Sequence, residues 1–402
     1  MDRRRRASTG KSGYLDSAIS IIEDFQNSKD DLTHIVSKCL DRVLFNEIRS
    51  VAWRVFLNIL PSKCSNEWVN LTKKNRANFE QELSTKVNNL CKYIDAEICP
   101  EEAHKVLKKD NNLDEFELVQ LLRSVVKEEA KKSNIYNSLS ESAQKIFSLW
   151  LINNPNKVKP EHYTKCFRVL LTLMFALYPC MINSSAEDCE ISDDNSLPSA
   201  KELLYFLCCE DYFDHDIYSI YSEIMNRLLN LITSDSTSSD VAELYKRIAS
   251  CEGNSKKMAE VLASAGRPEV DFLFYLGISN GQLLKSLMEN NRNLSGLIHS
   301  ITSTLFYDYD YGALIYFWDC ILSCENDNQF NFTLINKHHK GFQLIDFLAC
   351  SLISKVNPNI LLEGDLTKVL PAYLYENVTE SDHKLIVLAS LKLREKIVNL
   401  FE

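Results

Sequence analysis

Apolar residues recur along the chain at intervals of three and four positions, which is the spacing of one face of an α-helix. A first series runs from Leu15 to Phe25, and the clearest one runs from Ile48 to Leu60. Pro61 is expected to end that helix, because proline has no backbone N–H to donate. Further amphipathic series lie at residues 79–94, 143–151 and 167–174. The pattern therefore predicts an all-α fold.

The composition supports long helices over sheets. The 402 residues include only 10 glycines and 9 prolines, the residues that tight turns and hairpins consume. Hydrophobic residues make up 45% and charged residues 25%, the usage of a chain that folds around a packed core. No segment repeats at a fixed period, which disfavours an armadillo or tetratricopeptide array.

Breaks in the helical pattern suggest how the chain is organised. Residues 1–13 are predicted to form a disordered basic tail, and residues 14–375 one helical domain. Within that domain, residues 183–199 are rich in Ser, Asp and Glu and indicate an acidic surface loop, while residues 234–268 indicate a polar insertion. A C-terminal helix is predicted over residues 376–402.

Charge and hydropathy exclude several classes of partner. The formal net charge of -10 gives no general attraction to phosphate backbones, so no nucleic-acid partner is expected. The start of the chain is basic without an apolar stretch behind it, so no secretory signal is expected. The longest apolar run, residues 169–182, is too short to cross a bilayer and contains Pro179. We expect a cytoplasmic protein without a transmembrane segment, which reaches endomembranes only peripherally, through partners.

The side chains that could carry metal or hydrolytic chemistry are scattered. The 13 cysteines follow no Cys-x-x-Cys or Cys/His spacing, so neither a metal nor another cofactor is expected. Cys166, Cys208 and Cys350 lie in apolar helical runs, where we predict that they act as small buried hydrophobic groups. No histidine forms a recognisable motif with a nucleophile, so no independent hydrolase is expected.

One segment resembles a known family. In residues 48–61, Arg49 precedes Trp53 in a predicted helix that ends at Leu60 and Pro61. This arrangement resembles the opening of TBC domains, the fold of Rab GTPase-activating proteins. Further similar segments include Trp68 with the basic residues after it, residues 214–225, the tryptophan-aspartate helix at 315–322, and the closing helices at 344–373. The resemblance extends over about residues 40–375, is strongest to the member-five branch, and implies a two-lobed, all-α TBC domain.

The resemblance also implies a catalytic site with altered residues. TBC proteins insert an arginine, from Ile-x-x-Asp-x-x-Arg, and a glutamine, from Tyr-x-Gln, into the active site of a Rab. The best register here supplies Arg123, but Glu117 and Gln120 replace the isoleucine and the aspartate. The second motif aligns with Tyr163 and Lys165, where lysine replaces the glutamine. The candidate catalytic residues are therefore Arg123, Tyr163 and Lys165.

What the resemblance implies for function leaves alternatives open. It implies a small Rab-type GTPase as partner and a role in vesicle trafficking, with the chain acting as an activator of the partner's GTP hydrolysis and not as an independent enzyme. The altered motifs suggest that this activity is weak or lost. A catalytically inactive TBC scaffold subunit in a signalling or trafficking complex is one alternative, with Arg123 a solvated helix arginine. An unrelated helical adaptor is another.

Overall fold

The computed structural model describes residues 8–27, 32–44, 46–87, 139–154, 157–158, 162–184, 189–191, 197–233, 246–247, 250–251, 257, 260–261, 268–290, 311–324, 342–362, 372–373 and 376–401. In these residues the regular structure is helical, apart from one parallel bridge between Ile182 and Cys209. The predicted all-α fold is confirmed.

The chain divides into two compact units, and the boundary between Met225 and Asn226 falls within a helix. The first unit comprises Met1–Asp31 and Phe45–Met225, and the second comprises Leu32–Leu44 and Asn226–Glu402. The described helices are α1 Ser8–Asn27, α2 Thr33–Leu40, α3 Asn46–Phe56, α4 Asn66–Glu82, α5 Ser140–Asn153, α6 Tyr163–Leu177, α7 Ala200–Leu207, α8 Phe213–Thr233, α9 Pro268–Glu289, α10 Tyr311–Ser323, α11 Gln343–Lys355, α12 Pro358–Leu362 and α13 Glu380–Phe401.

The core of the first unit is built around aromatic side chains. Helix α3 packs against α1 and α6, and α1 also packs against α7. Trp53 and Trp68 are fully buried. The Trp68 ring meets Phe25 edge to face at 5.4 Å between centroids, and its Nε1–H donates to the Pro61 carbonyl at 2.9 Å. The indole thus fills the core while its one polar atom stays satisfied.

Helix α3 ends earlier than the apolar pattern predicts. It stops at Phe56, before Pro61, because Asn58 takes a left-handed backbone conformation with φ of 59°. The Ile59 N–H then donates to the Arg54 carbonyl at 2.8 Å, which is the hydrogen bond of a Schellman cap. Asparagine tolerates this conformation better than most residues. The chain therefore turns at Asn58, and the proline is not what ends the helix.

Two other predicted boundaries also differ from the structure. Helix α1 begins at Ser8, so residues 8–13 of the predicted tail are helical. The helix predicted over residues 79–94 is the end of α4, which begins at Asn66 and continues as a π-helical turn, Leu83–Val87. Residues beyond 87 in that prediction lie outside the described part of the chain. Most of the predicted acidic loop and polar insertion also lie outside it.

The second unit packs the C-terminal helix α13 against α11, α9 and α10, while α2 packs on α10. Tyr316 on α10 donates from its hydroxyl to the Leu40 carbonyl at 2.9 Å. At the surface, Lys384 and Asp41 form an ion pair of 2.8 Å. These contacts make the C-terminal helix a part of this unit's fold.

The described cysteines are all free thiols with buried side chains. Cys166, Cys208 and Cys350 are among them, as predicted. Burial raises the pKa of Cys166 and of Cys208 to about 12. Within the described residues there is no cluster of three or more His, Cys, Asp or Glu side chains that could hold a metal ion. No described helix is long and apolar enough to cross a membrane.

Helix α7 begins with a capping box. The Ser199 hydroxyl accepts a hydrogen bond from the Glu202 N–H at 3.3 Å, and the Glu202 carboxylate accepts one from the Ser199 N–H at 2.8 Å. Just before it, the Pro198 carbonyl accepts a hydrogen bond from Gln26 Nε2 at 2.9 Å, which ties the start of α7 to α1.

Removing this cap should weaken the first unit measurably. We expect Ser199→Ala to lower the free energy of unfolding by about 1 kcal/mol, because a helix N–H loses its acceptor. Urea unfolding followed by far-UV circular dichroism measures the change. Ser20→Ala, at an exposed position of α1, is the matched control and should change stability by less than about 0.5 kcal/mol. Equal stability of the two variants would contradict a stabilising cap.

Candidate functional site

The structure places Tyr163 and Lys165 together in the first turn of α6. The helix begins at Tyr163, and no side chain caps its N-terminus. The Tyr163 ring, which is partly exposed, meets Phe147 of α5 edge to face at 6.2 Å between centroids. This contact fixes the start of α6 against α5.

Lys165 is half-buried and positively charged at a helix start. Its burial lowers the pKa of the ammonium group, and a weaker interaction with the Cys166 thiol raises it. Among the described residues, no carboxylate lies within ion-pair distance of this ammonium. The N-terminus of a helix is also the positive end of its dipole. The first turn of α6 therefore carries positive potential that a negatively charged group could neutralise.

The backbone behind Lys165 is held by a buried tyrosine. The Tyr221 hydroxyl of α8 donates to the Cys166 carbonyl at 3.1 Å. The Tyr221 ring in turn meets Trp150 of α5 edge to face, with 5.5 Å between centroids. Tyr221 is fully buried, and this burial raises its pKa. The turn that carries Lys165 is thus positioned by α5 and α8 together.

The end of α5 is anchored by an amide. Asn153 Nδ2 donates to the Tyr218 hydroxyl at 2.7 Å and also bonds the Glu82 carboxylate. Asn154 Nδ2 donates to the Trp150 carbonyl at 2.8 Å, which closes the last turn. These contacts fix the last turn of α5. The roles of Asn153 and Tyr218 could not be predicted from the sequence, because their hydrogen bonds join distant parts of the chain.

A buried ion cluster connects α3, α4 and α8. Asp216 accepts from Arg76 through both carboxylate oxygens, at 3.1 Å from Nε and 2.7 Å from Nη2. Arg54 Nη2 lies 3.5 Å from the same carboxylate and also donates to the Ser50 hydroxyl at 2.9 Å and to the Leu207 carbonyl. All three charged side chains are nearly inaccessible, at 2% to 6% exposure.

This cluster could be predicted from the sequence only in part. Arg54 falls among apolar positions of α3, where a charged residue requires a buried partner. The partner could not be named, since Arg76 and Asp216 are separated by 140 positions. Arg123, the third predicted site residue, lies outside the described part of the chain, as do Glu117 and Gln120. Its role stays a prediction.

Comparison with known proteins identifies the fold. No known protein family matches the sequence, and no curated protein matches it either. Among solved structures, the crystal structure of the Ypt/Rab-GAP domain of Gyp1p is similar, with a TM-score of 0.55 and 11% sequence identity. The similarity covers 95% of this chain and 99% of that domain. The chain therefore has the all-α fold of a TBC (Rab-GAP) domain.

Proposed function

We propose that this chain binds a Rab-type GTPase and accelerates its GTP hydrolysis weakly or not at all. The fold supports the first half of the proposal, because the similar structure is a Ypt/Rab-GAP domain and the similarity extends over nearly the whole chain. The observation that carries the second half is Lys165, which stands in the first turn of α6 where the family's motif has glutamine.

The chemistry of the two side chains explains the loss. A glutamine amide has both donors and an acceptor, so it can orient the attacking water while it donates to the phosphate. A lysine ammonium has three donors and no acceptor. Lys165 can therefore add positive charge near the transferring phosphate, but it cannot accept a hydrogen bond from the water. Rate acceleration would depend on Arg123 and on the GTPase's own glutamine.

A scaffold role is the second candidate. Both catalytic motifs of the family are altered here. The arginine motif has Glu117 and Gln120 in place of isoleucine and aspartate, and the glutamine motif has Lys165. A chain that kept the binding surface and lost catalysis would act as a subunit of a trafficking or signalling complex. In either case a cytoplasmic location, with membrane attachment only through the bound GTPase or other subunits, is part of the proposal. An unrelated helical adaptor would not be expected to share a Rab-GAP fold over its whole length.

Single-turnover GTP hydrolysis across a panel of GTP-loaded Rabs tests the proposal. We expect the full chain to leave the intrinsic rate nearly unchanged, and Lys165→Gln to raise it about 100-fold by supplying the missing water-orienting group. Adding Arg123→Ala to Lys165→Gln should remove the gain, because an arginine in this role is worth about 10³ to 10⁵ in rate. Lys201→Gln, an exposed substitution on α7, is the matched control.

The outcomes separate the candidates. A wild-type chain that already activates a Rab strongly would show that Lys165 does not impair catalysis. If Lys165→Gln stays inactive while the chain still binds a GTP-loaded Rab, the scaffold role is favoured. Absence of binding to any Rab in either nucleotide state, measured by biolayer interferometry, would contradict both candidates.

A further inference from the structure

A pocket of about 560 Å³ opens in the first unit, away from Tyr163 and Lys165. Helix α4 forms one wall with Lys73, Arg76, Ala77 and Glu80, and His215 of α8 also lines the pocket. Cavities of roughly 300 to 1,000 Å³ are the size that holds small organic ligands. Nothing in the proposed GTPase binding uses this pocket.

Arg76, which lines the pocket, has one unsatisfied donor. Its side chain is buried, and its guanidinium lies between the rings of Tyr212, at 4.2 Å, and Phe206, at 4.7 Å. Nε and Nη2 pair with Asp216, but the buried Nη1 has no hydrogen-bond partner. A buried donor left without an acceptor destabilises a fold, so an acceptor supplied by a ligand would be favoured at this atom.

His215, which lines the same pocket, also has an unsatisfied atom. His215 Nε2 lies 2.6 Å from the Glu80 carboxylate, whereas the buried Nδ1 has no partner. A histidine ring nitrogen can donate or accept a hydrogen bond, so Nδ1 leaves one hydrogen-bonding position of this side chain unfilled.

The charge around these atoms favours an anion. Arg54 and Arg76 share the single carboxylate of Asp216, so the buried cluster carries one uncompensated positive charge. The Lys73 ammonium also lines the pocket and donates to the Ile191 carbonyl at 3.2 Å. Two carboxylates also line the pocket: Glu80, which forms a hydrogen bond with His215, and Glu190. The positive charge is therefore greatest on the Arg76 side, and the acidic groups limit how much negative charge the site accepts.

We propose that this pocket binds a small organic anion whose carboxylate or phosphate oxygens accept from Arg76 Nη1 and Lys73. Charge-assisted bonds of this kind are the strong ones, and guanidinium geometry suits both groups. The volume exceeds that of a bare inorganic ion, so the ligand carries an organic body beside Tyr212 and Ala77. The glutamates at the pocket favour a single anionic group over a polyanion.

Isothermal titration calorimetry on the full chain tests the site with three probes of one shape: benzoate, phenyl phosphate and the neutral benzyl alcohol, at constant ionic strength. We expect at least one of the two anions to bind with a Kd of roughly 1 mM, typical of a fragment-sized ligand, and benzyl alcohol to bind at least about 10-fold more weakly. Lys73→Ala removes a charged donor, and Ala77→Trp fills the pocket from an exposed position. Each should weaken anion binding at least about 10-fold.

The matched control is Lys74→Ala, which removes the same charge from an exposed position of α4 that does not line the pocket. It should leave the Kd unchanged. Three results would overturn the proposal: neither anion saturates the site, benzyl alcohol binds as tightly as the anions, or Lys73→Ala and Lys74→Ala have equal effects. The pocket would then be a site for ordered water only. These results are independent of the GTPase assay, since no Rab is present.

Discussion

Replacing Asp216 with alanine should lower the free energy of unfolding by about 3 to 5 kcal/mol, the cost of leaving a buried charge without its partner. The loss is large because one carboxylate serves two buried guanidinium groups, those of Arg54 and Arg76. Without it, the two like charges remain buried side by side with no counter-charge between them. Urea unfolding followed by far-UV circular dichroism measures the change, with the slope against urea compared between variants.

Two further variants sharpen this test. Asp16→Ala makes the same substitution at an exposed position of α1 and should change stability by less than about 0.5 kcal/mol. Asp216→Asn keeps the shape and one acceptor oxygen, so its loss should lie between the two. A loss below about 1 kcal/mol for Asp216→Ala would mean that solvent reaches the cluster and that the ion pairs are worth no more than surface pairs.

Replacing Trp68 with alanine should cost a similar amount, about 3 to 5 kcal/mol, by a different mechanism. The substitution opens a cavity in the core of the first unit, removes the edge-to-face contact with Phe25, and leaves the Pro61 carbonyl without its donor. The same unfolding experiment measures it.

Trp68→Phe separates these contributions, since it keeps an aromatic ring but loses the indole N–H. Its loss should be about 1 to 3 kcal/mol, the cost of an unsatisfied buried acceptor with a smaller cavity. Leu385→Ala, an exposed apolar position of the second unit, serves as control. A Trp68→Ala variant as stable as this control would show that the surrounding core closes over the vacated space.

The helices could be predicted because their apolar residues recur at intervals of three and four positions. Leu15 to Phe25 and Ile48 to Phe56 follow helical spacing, and both segments are helical. The helix ends were less predictable, because they depend on the backbone conformation of single residues, which the spacing of apolar residues does not indicate. At Asn58 a positive φ ends α3 before Pro61 can, and an asparagine two residues beyond a helix end is only a weak signal.

The candidate site was predictable where it is local and not where it joins distant segments. Tyr163 and Lys165 are neighbours in sequence, so their shared position at the start of α6 follows from the motif. The hydrogen bond from Tyr221 to the Cys166 carbonyl could not be predicted from a local pattern, because 55 positions separate the two residues. Contacts of this kind position the site, and only the folded chain reveals them.

The buried thiols of the described residues are unreactive while the protein stays folded. At pH 8, a thiol with a pKa near 12, such as those of Cys64 and Cys166, is ionised in only about one molecule in ten thousand, and the thiolate is the form that reacts. An alkylating or oxidising reagent therefore modifies these sulfurs only after the surrounding helices separate. The described cysteines lie in both units. The rate at which each one is modified therefore measures how often the surrounding part of the protein unfolds locally.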